Sequence, residues 1–112
     1  MAFYYPATVV RLGTNTFSVI DACVALRRFP FSETIDVLRP RLLHEEMAIR
    51  CHAVQTIMLV AGLNRNECAI PEPAIRIMHE DAAVRQEVIA DLETAIRDIR
   101  LPSIRDEPGD FA

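Results

Sequence analysis

The chain has 112 residues, 51% of them apolar and 25% charged, with a formal net charge of −4. That is the size of one domain, and it is too apolar and too mixed in charge to stay disordered. No run approaches the roughly 18 apolar residues of a membrane span, and Met1–Pro6 has neither the basic nor the apolar segment of a signal peptide.

Thr8–Leu12 is β-branched and apolar, Gly13–Thr16 has turn composition, and Phe17-Ser18-Val19 can extend again. Residues 1–17 are therefore expected to hold a short β-hairpin. From Ser18 the apolar period becomes helical through Val19, Ala22, Cys23 and Leu26, with Ser18 or Asp21 as cap and Pro30 as stop. Ser32 caps a short second helix over Glu33–Leu38. Pro40 then suits the first turn of a long third helix, whose stripe is Leu43, Met47, Cys51, Val54, Met58 and Ala61. Gly62, with Leu63 behind it, is placed to close that helix in a Schellman turn.

Asn64–Glu67 is a polar connection and Pro71-Glu72-Pro73 marks the next start. Ala74–Arg100 is helical in pattern, with a break near His79-Glu80-Asp81. Its stripe is Met78, Ala82, Arg85, Ile89, Leu92, Ile96 and Ile99, with one charged intruder. Leu101-Pro102 ends it. The expected fold is mainly α: a compact bundle of three to four helices with a short N-terminal β-hairpin. It forms one domain over residues 1–102, followed by a flexible acidic tail, 103–112. No internal repeat is read.

Cys23, Cys51 and Cys68 cannot all pair, and none belongs to a C-x-x-C unit. They read as buried or half-buried free thiols in a reducing cytoplasm. All twelve basic residues are arginine, and lysine and tryptophan are absent. At helix-surface positions either cation would serve, so the missing lysine reads as a habit of a GC-rich genome.

Three chemistries compete with plain solvated helix faces. His44, Glu45 and His52 share one helix, but ligands on a helix must lie three or four residues apart to meet at one ion. A metal or small-ligand site there needs help from another helix, such as His79-Glu80-Asp81. Cys51 and His52 diverge by about 100° around a helix, and there is no nucleophile elbow or glycine-rich phosphate loop. Enzymatic function is not favoured and no cofactor is expected. Arg27, Arg28, Arg39 and Arg41 bracket the second helix and could contact phosphates. Arg65 would lie at the start of a recognition helix after a turn at Gly62-Leu63. The net charge of −4 argues against strong nucleic-acid binding.

Val9-Val10 through Gly13, then Val19, Ala22, Leu26 and Pro30, with Ala48-x-x-Cys51-x-x-Val54 beyond, resembles a small uncharacterised domain family of alphaproteobacteria. The resemblance covers the first half and implies a strand-turn-strand leading into a helix that ends at proline. The family has no known activity, so it implies no site.

What remains is association. Ile57–Ala61 is apolar all round and the last helix has a heptad-like stripe, more apolar face than a small bundle easily covers. Ile57, Met58, Val60, Arg85, Ile89, Leu92 and Ile96 are the candidate interface. The expectation is a non-enzymatic, cytoplasmic, helical interaction or regulatory protein that forms a homodimer. The DNA-associated regulator and the metal or small-ligand protein are the alternatives.

Overall fold

Residues expected as the first strand form the first helix instead. In the computed structural model, which describes residues 3–106, α1 spans Tyr4–Leu12. Pro6 sits in its first turn, where a missing N–H removes no intrahelical bond, and Thr8 Oγ1 donates to Tyr4 O at 2.8 Å. Phe3, Ala7 and Val10 recur at helical spacing and are all buried. Burial of that face overrides the extended preference of Val9 and Val10. No strand occurs among the described residues, so the N-terminal hairpin is not formed.

Gly13 joins α1 to α2 (Thr16–Ala25). A Cβ at Gly13 would lie 2.4 Å from Val9 O and 3.0 Å from Val19 Cγ2, so glycine is what lets the two helices close on each other. Asn15, not Ser18 or Asp21, caps α2: its Oδ1 accepts from Ser18 N at 3.0 Å. A 3-10 turn at Leu26–Arg28 finishes this arm before Pro30. The next helix, α3, spans Ser32–Leu38, close to the expected bounds, but Phe31 and not Ser32 holds its N-cap position and no side chain caps it.

The long third helix is in fact split. Arg39–Leu43 is a 3-10 turn, His44–Glu46 is not helical, and α4 begins only at Met47 and runs to Val60. Leu43 and Met47, read as the start of the buried stripe, are 66% and 53% exposed. From Ile49 onward α4 is enclosed on nearly every side and forms the middle of the molecule. Its end follows the sequence signal. Gly62 has φ 78°, Leu63 N donates to Met58 O at 2.8 Å and Gly62 N to Leu59 O at 3.2 Å, which completes a Schellman turn.

The final helical stretch divides where expected, into α5 (Glu72–Arg76) and α6 (Ala82–Ile96) around His79–Asp81. Val88, Leu92 and Ile96 form the buried face of α6. The chain then returns to α3. Ser32 N donates to Pro102 O at 3.1 Å, and the Glu33 carboxylate accepts from Ser103 Oγ and from Ile104 N. Ile104–Asp106 makes a last 3-10 turn with Ile104 buried. Residues 103–106, expected in the flexible tail, are therefore docked, while 107–112 lie outside the described residues. The described chain has six α-helices rather than three or four, because short helices on either side of a tight turn share one apolar period.

The six helices pair as three hairpins, α1/α2, α3/α4 and α5/α6. Successive pairs stack, α1 on α3, α2 on α4 and α4 on α5. Two of the hairpin turns repeat one another. His44-Glu45-Glu46-Met47-Ala48-Ile49-Arg50 and His79-Glu80-Asp81-Ala82-Ala83-Val84-Arg85 enter α4 and α6 in the same register. The structure thus contains an internal repeat that so short a match does not announce in the sequence. Stacked helix pairs of this kind are the building principle of α-solenoids.

Candidate functional site

The repeated turn holds His44 and Glu45 in one copy and His79, Glu80, Asp81 and Arg85 in the other. In the first copy His44 Nδ1 accepts from Glu46 N at 3.0 Å, and in the second His79 Nδ1 accepts from Asp81 N at 2.9 Å. Arg50 Nη1 donates to His44 O and Glu45 O at 2.7 and 2.9 Å. Arg85 Nη1 donates to His79 O and Glu80 O at 2.9 and 2.7 Å. Carbonyls at a turn between helices have no intrahelical donor, and a guanidinium satisfies two at once.

Arg50 goes further. It is only 5% exposed, and its Nε donates to Ile77 O at 2.7 Å and its Nη2 to Met78 O at 3.3 Å, at the end of α5. One side chain thereby joins its own turn to the next hairpin. Burial, and then the nearby Arg85 charge, lower its pKa from the ordinary value. Arg41 serves the preceding hairpin in the same manner, donating from Nε to Val10 O and from Nη2 to Arg11 O at the end of α1. Arg50 and Arg41 donate from separate nitrogens of a planar fork, which a lysine ammonium does not supply, whereas Arg85 uses Nη1 alone.

A second feature is a shallow groove of about 550 Å³ on the outer side of α1/α2, lined by Tyr5, Pro6 and Val9 from α1 and by Asp21, Val24, Ala25 and Arg28 from the second arm. Tyr5 is 66% and Val24 41% exposed, though both are apolar or aromatic. Asp21 and Arg28 are exposed, and among the described residues neither has an ion-pair partner in its own chain.

Comparison with protein-family models, with curated proteins and with solved structures finds no match.

Ile57, Val60, Leu92 and Ile96 are buried within the chain's own core, with Met58 and Ile89 partly buried against it. Arg85, expected in an interhelical seam, caps a turn instead. Of the arginine patch, Arg27 Nε donates to Thr56 Oγ1, and Arg39 pairs with Asp36 and Glu93. Arg41 is engaged at α1. Arg28 lies in the groove. Arg65 lies in a non-helical segment, and α5, only five residues long, starts seven positions after it at Glu72, so the expected recognition helix is not there.

Among the described residues no three His, Cys, Asp or Glu side chains gather as a metal site would require. His44 and Glu45 belong to the turn. His52 has a buried Nδ1 without a hydrogen-bond partner, and burial, then the Arg27 charge, lowers its pKa. Cys23 is buried and its thiol is pushed up to about 11 by burial, against the opposing charges of Arg41 and Arg27. Burial raises Cys51 as well, with Arg27 opposing. Cys68, expected buried or half-buried, is exposed. No helix among the described residues is long and apolar enough to cross a membrane.

The groove escapes a sequence reading that makes α1 a strand. Once Tyr5 and Val9 are placed four apart on a helix, and Asp21, Val24, Ala25 and Arg28 on one face of the next, the signal is visible.

Proposed function

We propose that this protein is a non-enzymatic helical interaction protein of the cytoplasm that acts by self-association. The observation that carries the reading is the apolar groove on α1/α2, which no other described element covers. Contiguous apolar surface left exposed in a groove marks a site of protein contact. The stacked hairpins support it, since helix-pair arrays hold side chains on rigid faces suited to binding. The cytoplasmic placement rests on three free cysteines, one of them exposed, which suit a reducing compartment.

Association moves, in this reading, from the sequence-derived set at Ile57, Met58, Val60 and the α6 stripe to the first hairpin. The polar groups His44, His79, Arg50 and Arg85 are occupied in holding turns together. Light scattering of the full chain over a concentration series tests the reading. A mass rising from the 12.6 kDa monomer to twice that value is expected. A mass that stays at the monomer value into the high micromolar range overturns it.

A further inference from the structure

We infer that the groove on α1/α2 is closed by the same groove of a second copy, with α2 crossing its counterpart antiparallel about a two-fold axis at Val24 and Ala25. The inference rests on the self-association proposed above and names its surface. Asp21, Val24, Ala25 and Arg28 stand at i, i+3, i+4 and i+7, so they share one face of the second arm. This set is self-complementary in charge. In an antiparallel pair centred between Val24 and Ala25, Asp21 of each copy meets Arg28 of the other.

A two-fold contact must use the same patch twice, so any charge on it has to find its opposite on that patch. Asp21 and Arg28 meet that condition, and among the described residues each lacks an ion-pair partner in its own chain. The parallel alternative would set Asp21 against Asp21 and Arg28 against Arg28. Small Ala25 at the crossing point allows close approach, and Val24 supplies apolar contact there. From α1, exposed Tyr5 and half-buried Val9 form the flank of the groove, where the second copy would cover them.

The contrast with the other arginine-linked carboxylates on the surface supports the choice. Arg76 already meets Glu72, Glu87 and Asp91, and Arg39 already meets Asp36 and Glu93, so those charges are matched within the chain. On the first hairpin, by contrast, an acid and a base flank apolar surface and remain apart.

Charge reversal provides the test. Asp21→Arg and Arg28→Asp each place like charges at both ends of the crossing. Each variant alone is expected to weaken the dimer by about 100-fold or more, because like charges facing one another at an interface are strongly disfavoured. Mixed in equal amounts, the two variants restore both opposite pairs, so a heterodimer of wild-type affinity is expected. The double variant D21R/R28D should likewise dimerise. Both positions are exposed, and far-UV circular dichroism verifies that each variant is folded.

Sedimentation equilibrium reads all of these. If the wild type dimerises but the single variants dimerise equally well, or the mixture gives no heterodimer, this interface is wrong while self-association stands. If the wild type is monomeric, both fall.

Discussion

Replacing Arg50 should be far more damaging than replacing Arg85, although the two occupy the same position of the repeated turn. Arg50 donates to four carbonyls, three of them within 2.9 Å, and is almost fully enclosed. Arg85 is half-buried and donates to two, on the exposed residues His79 and Glu80. A hydrogen bond from a charged donor contributes about 1.5–3 kcal/mol, and a buried acceptor left without a donor costs about 1–3 kcal/mol. Water can reach the part-buried carbonyls of His44 and Glu45 in Arg50→Ala but reaches Ile77 O poorly. The expected loss is therefore about 4 kcal/mol, below the simple sum of the bonds.

Arg85→Ala should lose about 1 kcal/mol, since its two acceptors rehydrate. Arg50→Lys should fall between them at about 2 kcal/mol, because an ammonium cannot span both turns. A domain of this size has a total stability of about 5–15 kcal/mol, so Arg50→Ala removes a large share of it. Urea unfolding followed by far-UV circular dichroism measures all three at neutral pH and one protein concentration. If Arg50→Ala and Arg85→Ala agree within about 0.5 kcal/mol, the bonds to Ile77 and Met78 contribute nothing, and the inter-hairpin role of Arg50 is refuted.

Gly13→Ala should destabilise the fold by about 2 kcal/mol, since its methyl group would press on Val9 O and Val19; thermal denaturation checks this, and an unchanged midpoint would count against the close approach. At Glu33, burial raises the carboxyl pKa, but hydrogen bonds from Ser103, Ile104, its own N–H and Ser32 outweigh that and hold it below the ordinary 4.5. A depressed carboxylate stabilises the fold above its unfolded pKa and loses that contribution as pH falls through the lower folded value. The stability gap between wild type and Glu33→Gln should accordingly be full at neutral pH and shrink under acid, a trend that pH-dependent thermal melts would show or deny. Among the thiols, only Cys68 should react quickly with a disulfide reagent at mildly alkaline pH, while Cys23 and Cys51 await unfolding. Fast labelling of more than one thiol per chain would contradict the burial described.

Signals that act over one turn of chain were legible in the sequence. Pro30 stops an arm, Ser32 opens α3, Gly62 closes α4, and the break at His79–Asp81 stands where its composition puts it. Other features depend on partners distant in the chain. Val9 and Val10 favour extension locally, and only packing of α1 on α2 and α3 makes them helical. Arg50 sits among histidines and acids that suggest a ligand set, yet its main acceptor, Ile77 O, is 27 residues away. For the same reason Ile57 and Val60 suggest an interface when read alone, and α4 proves to be the centre around which the other hairpins fold. Half of the groove lies on α1, where Val9 and Val10 favour a strand locally.

The return of the chain to α3 has a consequence for how the molecule comes apart. The third hairpin is gripped before it begins its second helix, through Arg50 to Ile77 and Met78, and again beyond its end, through Ser103 and Ile104 to Glu33. An array of hairpins held only by neighbour contacts can fray from its last member inward. Fastened at two points to the hairpin before it, this one has no free end from which to peel. Its amide protons should then exchange with solvent together, in one opening, and not in a gradient along α6.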